Sequence, residues 1–148
     1  PNNRRLIVSA WNPKDQDKMA LPPCHIMHQI LIHDGKLNLI WTQRSCDMFL
    51  GIPYNIASYA LLLLLYAREL GYKPGILRGE LHDVHIYENH IPQVKEQLKR
   101  EPYELPIVSV GSHADCTPAT SMLNWSADNG FILTDYVCHE KLKGDVAR

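Results

Sequence analysis

The chain has no CxxC pair, no signal-peptide pattern at its start and no apolar run of membrane length. Its longest unbroken apolar stretch, Ala60 to Ala67, is far short of the ~20 residues a spanning helix needs. Four cysteines without paired spacing (Cys24, Cys46, Cys116, Cys138) argue against a disulfide-rich secreted scaffold. A reducing, cytoplasmic setting is expected. An excess of charge is missing too. The formal net charge of −1 excludes non-specific nucleic-acid binding through a broad basic face, while leaving room for a local phosphate pocket. The chain opens at Pro1-Asn2-Asn3-Arg4-Arg5 without methionine, and reads as a segment of a longer protein or one product of a split gene.

What is present is ordinary in bulk. Hydrophobic residues make up 45% and charged residues 21%, the balance of a soluble globular domain. The 148 residues fit one domain, residues 1–148, with room for a core.

Periodicity sets out the elements. Arg5 to Ala10 is β-branched and apolar, as in a short buried strand, and Trp11 to Met19 is a polar loop or helical turn. Cys24 to His33 reads as a strand with imperfect alternation. Asp34-Gly35 is a tight-turn signal, and Lys36 to Arg44 is the return strand. The ends of this hairpin lie far from its turn, so Cys24 and Arg44 are expected side by side. Asn55 to Leu70 predicts a helix, capped by Asn55 and stopped at Gly71; its all-apolar middle predicts burial. Ile76 to Leu81 reads as a strand, and His90 to Arg100 as a surface helix broken by Glu101-Pro102. Ile107 to Val110 and Phe131 to Val137 are short strands around a Ser/Thr/Asp/Pro loop.

The chemistry concentrates in Leu21-Pro22-Pro23-Cys24-His25-Ile26 and Gln43-Arg44-Ser45-Cys46-Asp47. A cysteine is a strong nucleophile as its thiolate, and a neighbouring guanidinium favours that form. The same guanidinium matches phosphate oxygens. Together they point to covalent chemistry on a phosphorylated substrate. A lone strand cysteine is more often a small buried residue, and Cys46, Cys116 and Cys138 keep that plainer reading. His82, His85 and His90 match no zinc spacing and have no cysteine alongside, so no metal is expected.

Several motifs then fall in order: Arg4 to Asn12, Met19 to His25, Gln43 to Gly51, Pro53 to Ala60, Asp83 to Tyr87 with Asn89-His90, Arg100-Glu101-Pro102, and a tail of Tyr136, His139, Lys143 and Val146-Ala147. In these the chain resembles the C-terminal half of the thymidylate synthase family; the N-terminal half is expected to be absent. The resemblance implies an α/β (α+β) fold: a mixed, curved β-sheet packed on a central buried helix, whose other face forms a homodimer interface. It implies methylation of dUMP to dTMP, with 5,10-methylenetetrahydrofolate as co-substrate. Cys24 would attack C6 of the base, with His25 beside it in a hydrogen-bond network. Arg44 would bind the phosphate with Ser45 and activate the thiol; Arg4 and Arg5 would reach the partner's phosphate site. Asn55 would read the base, favouring uracil over cytosine, and Gln43 would orient it. His85 and Tyr87 would hold the sugar, and Asp47, Leu50 and Gly51 the reduced folate.

Two departures keep alternatives open. Leu81-His82 replaces the usual glycine before the Asp-x-His-x-Tyr motif, and Arg148 replaces a terminal apolar residue. Both tilt toward a placed water, hence toward a phage-type hydroxymethylase acting on dUMP or dCMP. A non-catalytic nucleotide-binding dimer remnant is a further alternative. A cysteine hydrolase is a weaker one, since no third orienting group is visible.

Overall fold

A computed structural model describes residues 3–110 and 131–146. The Ser/Thr/Asp/Pro loop with Cys116 and the terminal Arg148 lie outside these residues. The chain divides into two compact units, Pro1–Tyr87 and Glu88–Arg148.

The first unit holds a sheet and a helix. Strand β1 (Ile7–Ser9) leads through a 3-10 turn (Pro13–Lys18) to β2 (His25–His33) and β3 (Lys36–Gln43). Asn12 caps the turn by accepting from the Lys14 amide at 3.2 Å. Asp34 and Gly35 both take positive φ (49° and 71°), the two-residue hairpin turn expected from Asp-Gly. A two-residue strand β4 (Cys46–Asp47) precedes helix α1 (Ile52–Glu69), and β5 (Lys73–Leu81) and β6 (Val84–His85) follow. The main sheet has the order β1-β2-β3-β5; the first two pairings are antiparallel and β3-β5 is parallel, so the sheet is mixed. Helix α1 connects the parallel pair and packs on it. Leu37, Leu39 and Trp41 alternate along β3 toward the helix, where Ile30, Leu63 and Ala67 complete the core.

Several expectations are corrected. The edge strand β1 is exposed rather than buried, with Ile7 at 51% and Val8 at 49%, because α1 covers β3 and β5 and not the sheet edge. Helix α1 begins at Ile52 with Gly51 as its cap, not Asn55. Pro53 presets the first helical turn, and the Asn55 amide already makes an intrahelical bond to Gly51 O at 3.0 Å. That leaves its side chain available elsewhere. Only Ile52, Leu63 and Ala67 of α1 are fully buried, since the sheet covers one side of a helix that is apolar all round. The helix does stop at Gly71, whose φ of 69° suits glycine. Strand β5 starts at Lys73, three residues before the expected Ile76, because parallel pairing to β3 absorbs Pro74 and Gly75 across a register shift.

In the second unit a 3-10 turn (Glu88–His90) enters helix α2 (Ile91–Gln97), shorter than the expected span to Arg100. Strands β7 (Ile107–Val110) and β8 (Phe131–Thr134) pair antiparallel, and β8 ends before the positive-φ Asp135. Extended residues near the C-terminus are held by side chains. Asn89 donates to Asp145 O at 3.1 Å, His90 Nε2 contacts the same oxygen at 2.8 Å, and Gln93 donates to Lys143 O at 3.0 Å. Among the described residues no helix is long and apolar enough to cross a membrane.

Candidate active site

The β2-β3 hairpin assembles the site. Its register sets His25 opposite Gln43, and the Arg44 amide donates to Cys24 O at 2.9 Å. A bulge between His25 and Met27 shifts the phase of β2. Beyond it His28, Ile30 and Ile32 pair with Trp41, Leu39 and Leu37, all on the helix side. Before it, the extra residue turns His25 to that same side. The imperfect alternation of the sequence is this bulge.

His25 Nδ1 then stands 3.2 Å from the Tyr59 hydroxyl on α1. Burial lowers the pKa of His25 and raises that of Tyr59, so neutral forms are favoured for both. Asn55 and Tyr59 are four residues apart and share a helix face. Gln43, only 3% exposed, donates to Asn55 Oδ1 at 3.1 Å and to Ser45 O at 3.0 Å.

Arg44 has a task the sequence did not reveal. Its Nε donates to Pro23 O at 3.0 Å and its Nη2 to Pro22 O at 2.9 Å. The guanidinium thus straps the turn that carries Cys24. It also lines a cleft of about 360 Å³ with Ser9, Trp11, Ile26 and Met27.

The two cysteines of the site differ. Cys24 is half-buried, while Cys46 is fully buried with its Sγ near Gln43 O at 3.8 Å. Burial pushes the Cys46 thiol up; the His82 amide opposes this, and the charges of Cys24 and Asp83 add to it. Cys46 is therefore held as a thiol, with Cys24 as its electrostatic neighbour.

Pairing of β4 with β6 brings the Asp-x-His-x-Tyr motif alongside: Cys46 pairs with Val84 and Asp47 with His85. His85 Nδ1 donates to Asp83 O at 2.8 Å. A carbonyl only accepts, so in the neutral ring the proton sits on Nδ1 and Nε2 is the acceptor. The Tyr87 ring packs edge-on against His85 at 4.9 Å. Asp47 Oδ1 accepts from the Phe49 and Leu50 amides at 2.9 and 3.2 Å, which fixes the turn into α1. A Cβ on Gly51 would stand 3.0 Å from Asp47 O, a tight contact that glycine avoids.

Cys24, His25, Gln43, Arg44, Ser45, Asp47, Leu50, Gly51, Asn55, His85 and Tyr87 thus lie on connected segments of the first unit. Arg4 and Arg5 do not join them. Both are exposed before β1, where Arg4 O accepts from the Gln29 side chain at 2.9 Å. Sequence reasoning missed Trp41 and Tyr59; their signals were the β3 alternation and the i+4 spacing from Asn55. Among the described residues no group of three or more His, Cys, Asp or Glu could hold a metal ion.

The family model described as "Thymidylate synthase" matches residues 1–148. The thymidylate synthase of Mycoplasma pneumoniae (strain ATCC 29342 / M129 / Subtype 1) is 48% identical over 147 residues, covering 99% of this chain and 49% of its own length. That of Listeria monocytogenes serotype 4b (strain CLIP80459) is 60% identical over 106 residues, 72% of this chain and 34% of the relative. The crystal structure of thymidylate synthase from T4 phage matches with a TM-score of 0.89 at 42% identity, over 100% of this chain and 54% of that one. The chain spans about half the length, or less, of the curated relatives it matches.

Proposed function

Because this chain belongs to the thymidylate synthase family, we propose that it carries the nucleophile-bearing part, residues 1–148, of a cytoplasmic enzyme that methylates dUMP at C5 to give dTMP. The observation that carries the reading is the β2-β3 register. It sets Cys24 beside Arg44 and His25 beside Gln43, whose amide reaches Asn55.

Cys24 adds to C6 of the pyrimidine, which makes C5 the nucleophile. Cys46 does not compete, because burial keeps it protonated and out of reach. Arg44 keeps Nη1 for the nucleotide phosphate while its other nitrogens strap the Cys24 turn. Asn55 reads the uracil edge, accepting from N3–H and donating to O4. His85 Nε2 accepts from a sugar hydroxyl, and Tyr87 donates to it. His25 and Tyr59 form the hydrogen-bonded wall beside the nucleophile.

The turn Asp47–Gly51 fits a reduced folate. Its carboxylate suits the N–H donors of a pterin, and the missing Cβ at Gly51 permits close approach. 5,10-Methylenetetrahydrofolate supplies the one-carbon unit and the reducing hydride.

The active form is a homodimer. Arg4 and Arg5, exposed beside an edge strand and apart from their own site, would reach the partner's phosphate. The sheet face away from α1 carries an open groove of about 600 Å³ lined by Leu31, Ile40, Ile76 and Arg78, with Ile76 66% exposed, and a second copy would cover it.

The test is to incubate the protein, together with whatever upstream half its gene encodes, with dUMP and methylenetetrahydrofolate and identify both products by mass. dTMP with dihydrofolate supports the reading. Any other C5 product, or none, refutes it.

A further inference from the structure

Alternation along β3 points Leu37, Leu39, Trp41 and Gln43 toward the helix, and all four are buried. The last of them is a carboxamide where an apolar side chain would serve packing alone. A buried carboxamide needs a partner at each end. The indole Nε1–H of Trp41 donates to Gln43 Oε1 at 3.3 Å. An indole nitrogen donates and never accepts, so the Gln43 atom facing it must be the oxygen. The amide nitrogen then points away and donates to Ser45 O and Asn55 Oδ1. Orientation passes along the relay. Because Gln43 offers N–H, Asn55 answers with Oδ1, and its Nδ2 is committed to its other side.

The indole is held in place. Its ring stacks on Tyr59 with centroids 4.9 Å apart and planes 13° from parallel. Gly79 pairs with it across β5, and a Cβ there would stand 2.5 Å from the ring. The tyrosine that holds the indole also contacts His25, so one stack serves both the nucleophile strand and the base-reading residue.

We propose that Trp41 is a specificity-setting positioning residue: through Gln43 it fixes which end of the Asn55 carboxamide meets the base, and thereby which pyrimidine the site prefers. The inference rests on the reading of Asn55 as the residue that contacts the base. Uracil presents a donor at N3 and an acceptor at O4; cytosine presents the reverse. A carboxamide turned by 180° fits the second as well as it fits the first. Asn55 discriminates only if its flip is set. Trp41 helps set it from two residues away on the relay, touching no nucleotide.

The experiment measures dUMP and dCMP binding by calorimetry to the wild-type protein and three variants. Trp41→Phe keeps an aromatic ring for Tyr59 and removes the N–H. The ratio of dUMP to dCMP affinity should fall roughly two- to tenfold, the worth of one neutral hydrogen bond. Gln43→Glu still accepts from Trp41 but offers Asn55 no N–H, so Asn55 turns its Nδ2 inward and the preference moves toward dCMP. An unchanged ratio in either variant, whatever the loss of melting temperature, reduces Trp41 to a packing residue and overturns the proposal. Asn55→Asp separates the two failures. If it moves the ratio toward dCMP while Trp41→Phe does not, only the role of Trp41 falls. If Asn55→Asp also leaves the ratio unchanged, Asn55 does not read the base, and both readings fall.

Discussion

Replacing Arg44 by lysine should destabilise this protein even with no nucleotide present. The guanidinium donates to two successive carbonyls, Pro22 O at 2.9 Å and Pro23 O at 3.0 Å. A planar fork can do this, whereas an ammonium on a flexible stem reaches one of them. The turn concerned has no regular secondary structure, so few other bonds hold it. A hydrogen bond to a charged group contributes about 1.5–3 kcal/mol. Arg44 is half-buried, and water replaces part of what is lost. A loss of about 1–2 kcal/mol is therefore expected, or roughly 2–8 °C in melting temperature for a chain of this size. Urea denaturation and thermal melts in a buffer free of phosphate and sulfate measure it directly. The alkylation rate of Cys24 in the same buffer reports whether the turn has loosened around the nucleophile. An arginine that served only as a phosphate ligand would cost nothing under these conditions. Stability within about 0.3 kcal/mol of wild type, with an unchanged alkylation rate, would refute the strap.

Other perturbations reach different parts of the site. Cys24→Ser should abolish the nucleotide adduct seen by denaturing mass spectrometry while leaving dUMP binding within a few-fold; equal adduct formation by the serine variant removes Cys24 as nucleophile. Gly79→Ala places a methyl against an indole already stacked on Tyr59, and should cost about 1–3 kcal/mol by overpacking; chemical denaturation showing no loss would mean the stack yields freely. Burial lowers the folded-state pKa of His25 and His28 below the ordinary histidine value of 6.5. The unfolded chain then binds more protons in the window just below pH 6.5, so stability should fall as the pH drops through it. Melting curves between about pH 7 and pH 5 test the sign, and His28→Phe should flatten part of the slope.

The fold was legible where one local rule decides. Asp34-Gly35 can hardly be anything but a tight turn, since both residues accept positive φ, and the hairpin followed from it. Gly71 ended its helix for the same reason. The mistakes came where two rules compete. Asn55 is a good capping residue, but Pro53 two positions earlier is a better helix starter, and the proline prevailed. Lys73-Pro74-Gly75 has the composition of a turn, yet parallel pairing to β3 makes it strand. Ile7 and Val8 look buried by composition, but burial depends on which strands the helix covers, and no local pattern carries that information.

The site divides along the same line. Residues whose chemistry is local, such as the Cys24 thiol or the Arg44 guanidinium, announced themselves by type and spacing. Residues that act through a neighbour did not. Trp41 and Tyr59 read in sequence as an ordinary strand aromatic and an ordinary helix aromatic. Their meaning depends on a stack between elements eighteen positions apart and on an indole that can only donate. The bulge at Ile26 shows how small the deciding feature can be. Were Ile26 paired in regular register opposite Gln43, His25 would project from the opposite face of β2, away from Tyr59, and the hydrogen-bonded wall beside the nucleophile would not form. Deleting Ile26 should therefore regularise the pairing while leaving His25 opposite Gln43 on the helix side, so the His25–Tyr59 contact should survive, as the histidine's NMR titration would report.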